Sequence, residues 1–167
     1  SLQYDGAEWQ VALGKQMARA SGVVLAVPAS VASPILATVS SELSAELRNI
    51  EFAGAAIVSL GFHRQEITHP LSAAGMIVPR IACKRILAAS FSSSKFSGRA
   101  PADSVLIRAF IGGALDAGIA ELTDEEVLQE VLIDLKTTLG VCGRPIMVQV
   151  DRWHTSMPQY NLGHVER

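Results

Sequence analysis

Residues 79 to 113 read PRIACKRILAASFSSSKFSGRAPADSVLIRAFIGG, two apolar strand patterns joined by a hydroxyl-rich, basic connection and closed by an aromatic and two glycines. Arg80, Lys84, Arg85, Lys95, Arg99 and Arg108 make this the most basic stretch of the chain. Such cations can clamp carboxylates, although on β connections they are usually solvated and contribute little. Trp153 offers a flat apolar wall with one N–H donor. Other chemistries lack their parts. The run Ser92 to Ser94 has no G-x-S-x-G and no base at fixed spacing, so it reads as strand-end hydroxyls bonded to backbone. His63, His69 and His154 have no metal-ligand spacing, and the acidic residues form no pair that would define an acid/base couple. Cys83 and Cys142 lie far apart without C-x-x-C, which reads as free thiols of a reducing compartment. None of the 13 glycines falls into G-x-G-x-x-G, so the dinucleotide fingerprint is missing. No conventional catalytic residue is assigned.

Taken in order, these pieces resemble the flavin-dependent protoporphyrinogen and coproporphyrinogen oxidases of haem synthesis, within the flavin amine oxidase superfamily. The resemblance is carried by Ile77 to Arg80, Leu87 to Pro101 and Phe110 to Gly113, flanked by GVVLAVPA at 22 to 29 and RWHTSMPQYNLGH at 152 to 164. It implies FAD as cofactor and a tetrapyrrole as substrate. The macrocycle loses hydride to the flavin in successive rounds, and oxygen reoxidises the flavin to give peroxide. A porphyrinogen is a wide apolar ring system rimmed by carboxylates, so its site needs aliphatic and aromatic walls and a few cations. The resemblance puts Phe110 against a pyrrole, Ile77 on the opposite side and Ser90 in the same pocket. It puts Trp153, Gly163 and His164 beside the flavin. Arg80, from its residue type in the basic stretch, is a candidate carboxylate clamp at the rim. The family usually has a larger aliphatic residue where Ser90 stands. From the residues alone, Phe110 reads equally as an alternating core residue, Trp153 as a core indole and His164 as a satisfied structural histidine.

The resemblance further implies the later part of such an oxidase, without its nucleotide-binding beginning or closing segment. Such a piece is expected to be inactive alone and to take as partners the missing FAD-binding segments and the tetrapyrrole. Two rivals stay open: an amine oxidase or carotenoid desaturase of the same superfamily, and a non-catalytic tetrapyrrole-binding module. The sequence does not choose between protoporphyrinogen and coproporphyrinogen, and does not decide whether the protein is a homo-oligomer.

The elements that must position these residues read as α+β, a mostly antiparallel mixed sheet flanked by helices. Asp5-Gly6 predicts a two-residue hairpin with Trp9, Val11 and Leu13 on one face. A second turn falls near Gly14-Lys15-Gln16, and Val23 to Val27 reads as a buried strand. Residues 1–30 are expected to be a remnant of the FAD-binding domain, 31–150 the substrate-binding domain and 151–167 a return segment toward the flavin. Ser33-Pro34 predicts the start of one helix carrying Leu36, Val39, Leu43, Leu47 and Ile50 in a stripe. AAIVSLGFHR, GMIVPR, RILAASF and SVLIRAFIGG read as strands, one sheet face against helices and the other free to floor a ligand. Thr123 to Glu126 is a capping box for a helix that Gly140 ends.

Composition narrows the class. At 167 residues the chain can bury a core. A hydrophobic share of 49%, 18% charged residues and a mean hydropathy of +0.30 suggest apolar surface facing a partner domain or a greasy ligand. A net charge of −2 argues against nucleic acid. No transmembrane segment or signal sequence is readable, so a cytoplasmic location is expected, with any peripheral membrane attachment unmarked by an amphipathic stretch.

Overall fold

The computed structural model describes residues 1–166, whose contacts form two units, Ser1–Phe52 with the segment from Pro158 onward, and Ala53–Met157. In the first unit, strands β1 (Leu2–Tyr4), β2 (Trp9–Leu13) and β3 (Gln16–Ala20) make an antiparallel meander. The β1–β2 connection is longer than a two-residue turn, because Tyr4 pairs with Trp9 and four residues lie between. Asp5 explains the difference: its carboxylate accepts the N–H groups of Ala7 and Glu8 and the Gln10 amide, tying the longer loop together. The Glu8 N–H, then the Gln10 and Ala7 donors, hold the Asp5 pKa down to about 2. The second turn is the tight one, with Leu13 paired to Gln16 and Gly14 at φ +63°.

Two further expectations for this unit are corrected. Val23 to Val27 forms no strand, and Val24 is 92% exposed. An apolar run becomes a buried strand only where sheet neighbours flank it, and among the described residues it joins neither sheet. The single helix is instead a pair, α1 (Ala29–Leu36) and α2 (Ser41–Arg48). Ser40 caps α2 by accepting the Leu43 N–H, which restarts the helix after a break. Ser33 is no cap: it is buried, and its hydroxyl donates to the Ser44 carbonyl while the Ser44 hydroxyl donates to the Ser33 carbonyl. This crossed pair staples α1 to α2. The hydroxyl of Thr38 bonds the Leu2 carbonyl, so residues 31–52 group with the hairpins and the contacts divide at 52/53 and 157/158, not near 30 and 150.

The second unit is a five-stranded sheet in the order β5 (Gly75–Ile77), β6 (Ile86–Phe91), β7 (Ser104–Gly112), β4 (Phe52–His63) and β8 (Met147–Pro158). The β5–β6, β6–β7 and β7–β4 pairs are antiparallel. The Ile146 N–H bonds the Gly61 carbonyl and His154 lies beside Gly54, so β8 runs against β4. Alternation sorts the side chains by face. Ala56, Val58, Leu60 and Phe62 of β4 and Val105, Ile107, Ala109 and Ile111 of β7 are buried in one cluster with Val127, Val131, Leu135 and Leu139 of α4 (Asp124–Leu139). Thr123 and Glu126 form the expected capping box, and the Thr123 donors hold the Glu126 carboxyl below its ordinary range. Gly140, at φ +63°, ends the helix. The serine run folds as the short helix α3 (Ser92–Lys95), with the Ser93 hydroxyl accepting the Leu106 N–H.

Candidate functional site

The face of the five-stranded sheet turned away from α4 carries most of the residues singled out above. Residues paired directly across antiparallel strands project to the same side. Ile77 pairs with Ala88, Ala88 with Phe110, and Phe110 with Ile57, giving one apolar row across β5, β6, β7 and β4. Ile77 is 86% exposed and Phe110 half-buried. Adjacent strands lie ~4.8 Å apart, so Ile77 and Phe110 stand ~10 Å from one another on one floor. They do not form the opposed walls expected from the sequence, because the pairing register sends both side chains the same way. Ser90 shares the face in the neighbouring row, where Gly75 pairs with Ser90, Ser90 with Arg108 and Arg108 with Ser59.

Trp153 joins this face through its neighbour. Arg152 turns toward α4: its Nε donates to Asp124 at 2.7 Å, and its other nitrogens to the carbonyls of Ile119 at 3.2 Å and Leu122 at 2.6 Å. Val150 packs against the same core. Strand alternation therefore projects Asp151 and Trp153 to the opposite side, the open one. Trp153 is 53% exposed, so it is a surface indole and not a core one. Its flat face fits an aromatic cofactor or ligand.

Glycines let the backbones at this edge come close. A Cβ on Gly54 would stand 2.8 Å from the His154 carbonyl oxygen. Gly112 and Gly113, at φ +105° and +88°, end β7 in a conformation that favours glycine, and the Gly113 N–H bonds the Gly54 carbonyl at 2.8 Å. The FIGG pattern is thus the turn-off of the strand that carries Phe110.

The remaining candidates lie elsewhere. Arg80 is exposed at the start of the 3-10 turn Arg80–Ala82 after β5, with no carboxylate partner among the described residues. Gly163 and His164 belong to the first unit. Gly163 has φ +84°, and His164 Nδ1 lies 3.1 Å from the Asn161 carbonyl with its ring 5.1 Å from Tyr160. His164 and Tyr160 border a cavity of about 300 Å³ walled by Leu43, Leu47, Ile50 and Glu46. Cys83 and Cys142 are free and exposed, and no group of metal-ligating side chains is present among the described residues. No helix among them is long and apolar enough to cross a membrane.

Sequence reasoning missed two residues that hold the sheet to its helix. Arg152, in R-W, fixes the side to which Trp153 projects. Asp134 is only 5% exposed, and it accepts the N–H groups of Arg85 at 2.7 Å and Ile86 at 3.1 Å, with Lys84 Nζ at 3.6 Å. Its position three residues after Val131 was readable, but Glu130 stands in the same relation to Val127, so spacing alone did not single it out.

Comparison with known proteins agrees with this architecture. The family model for flavin containing amine oxidoreductases matches residues 1–166. Coproporphyrinogen III oxidase of Bacillus subtilis (strain 168) is 35% identical over 150 residues, covering 89% of this chain and 31% of the relative. Chloroplastic protoporphyrinogen oxidase of Oryza sativa subsp. japonica is 31% identical over 156 residues, covering 89% and 29%. The chain therefore spans about a third of the length of these relatives. A solved structure from Exiguobacterium sp. 255-15 superposes with a TM-score of 0.75 at 24% identity, over 99% of this chain and 36% of that one. Cyclohexylamine oxidase from Brevibacterium oxydans IH-35A gives 0.67 at 14% identity, over 91% and 33%. The α+β fold with its antiparallel sheets is that of these proteins, and the chain belongs to the flavin containing amine oxidoreductase family.

Proposed function

We propose that this chain supplies the substrate-binding floor of a porphyrinogen oxidase, taking protoporphyrinogen IX or coproporphyrinogen III to the porphyrin. The observation that carries the reading is the apolar row Ile77–Ala88–Phe110–Ile57 on the sheet face opposite α4, with Trp153 projecting to the same side. A flat macrocycle matches a floor of this shape: Phe110 stacks on a pyrrole, Ile77 and Ala88 extend the contact, and Ser90 leaves room where an aliphatic side chain would press. Arg80 supplies a cation at the rim. Trp153, Gly163 and His164 are assigned to the cofactor, FAD, whose nucleotide-binding segments come from the rest of the encoded protein. When bound, the flavin would supply the two-electron redox chemistry, by which a hydride and a proton lost from the macrocycle in each round would end on molecular oxygen as hydrogen peroxide. The residues of this chain orient the ring and exclude water, so none needs to be a proton-transfer catalyst.

The test uses the full-length protein loaded with flavin. Porphyrinogen oxidation is followed by the appearance of porphyrin fluorescence together with oxygen uptake. The reading predicts both, with no turnover of simple amines. Oxidation of amines alone, or stoichiometric porphyrin binding by a protein that retains no flavin, would replace it with one of its rivals.

A further inference from the structure

We propose that Arg108 is a specificity-determining residue that reads a carboxylate arm of the ligand seated on Phe110; the inference rests on the proposed function above. Arg108 is exposed midway along β7, on the open face. Its strand neighbours at the same level are Ser90 on β6 and Ser59 on β4, so a guanidinium stands between two hydroxyls in a polar strip beside the apolar row. The guanidinium carbon lies 5.9 Å from the Phe110 ring centroid, which ties the cation to the aromatic it flanks.

Arg108 is distinguished by its place on the open face beside Phe110 together with a charge that has no internal use among the described residues. Arg85 pairs with Asp116, Arg152 with Asp124 and Arg19 with Glu8, and Arg64 donates to the carbonyls of Ile67 and His69. Among the described residues no carboxylate or carbonyl engages Arg108, so its five donors face outward from the floor. Residues two apart on a strand are ~7 Å apart, which sets the offset between the ring-stacking row and the cationic strip. A flat macrocycle over Phe110 and Ala88 with a propionate arm directed along β7 brings its carboxylate to Arg108, where a bidentate contact forms and Ser59 or Ser90 can donate as well. The chemical class selected is therefore a flat apolar ring bearing a short acid arm. Arg80, on its turn beyond β5, is not in this strip.

The experiment measures binding of protoporphyrin IX and of its dimethyl ester to the full-length, flavin-loaded protein, in the same detergent. Arg108→Gln is expected to weaken the acid about 10- to 30-fold, the scale of one charge-assisted contact, and to change the ester less than about twofold. Arg108→Lys keeps the charge but loses the fork, and is expected to weaken the acid by a smaller factor while sparing the ester. Arg99→Gln, which removes an exposed cation lying over Phe96 elsewhere, leaves both ligands unchanged. Equal weakening of acid and ester, or no weakening of the acid, overturns the assignment; if Arg108→Gln does not fold, Arg108→Lys is judged by the same comparison. A wild-type protein that holds flavin but binds neither porphyrin overturns the parent reading instead, and the inference with it.

Discussion

Phe110→Ala is expected to weaken porphyrin binding to the full-length protein by about 30-fold, near 2 kcal/mol, because it removes the only aromatic face in the floor row. The change should leave the fold largely intact. Phe110 is half-buried on the face away from α4, whereas Phe62 is fully buried on the face toward it. Truncating a core phenylalanine such as Phe62 costs about 3–5 kcal/mol, and a surface-facing ring costs much less. Binding titrations paired with urea unfolding of both variants separate the two effects. A Phe110→Ala protein that binds porphyrin as tightly as wild type removes the ring from the substrate contact.

Asp134→Ala is expected to lower stability by about 3–5 kcal/mol, the range for breaking one side of a buried charged cluster. The carboxylate meets the backbone N–H groups of Arg85 and Ile86 where β6 begins, so its loss leaves two donors without partners and Lys84 without its counter-charge. Asp134→Asn keeps one acceptor oxygen for the two N–H groups and should lose roughly half as much. The reading is a shift in the urea midpoint at unchanged slope. A neutral Asp134→Ala would mean that α4 holds β6 through apolar packing alone. The consequence reaches the site, since β6 carries Ala88 and Ser90.

The strands were legible because their periodicity and their burial agree. Buried and half-buried positions alternate along β4 and β7 as the apolar pattern does, and the capping box with its closing glycine marks both ends of α4. Where the reading failed, a local signal was ambiguous or a distant partner decided. Ser33-Pro34 looks like a helix start, but Ser33 is used by Ser44 eleven residues later, and Ser40 starts the second helix. Asp5-Gly6 looks like a two-residue turn until the Asp5 carboxylate is seen gathering the donors of a longer one. Val23 to Val27 has the composition of a buried strand but joins neither sheet among the described residues.

The candidate residues could be nominated by type, but their arrangement could not be read from the sequence. Sequence could nominate Ile77, Ser90, Phe110 and Trp153, yet only the pairing register for the first three, and the contacts of Arg152 with strand alternation for Trp153, show that all four project to one face. That same register turned two expected walls into one floor and put Arg108 in the row beside Phe110. Arg108 had been one of six cations with nothing to separate it from the rest. Its separation comes from two observations together: Lys84 and Arg85 have carboxylate partners and it has none among the described residues, and of the unpaired cations it is the one paired across the strands into the row beside Phe110.

We propose that the ring system lies on the sheet face opposite α4. A crystal structure of the full-length, flavin-loaded protein with bound porphyrin tests it most directly. The macrocycle is expected to stack over the Phe110 row with a carboxylate at Arg108. A porphyrin held anywhere else, with Phe110 and Ile77 covered only by protein, would contradict it.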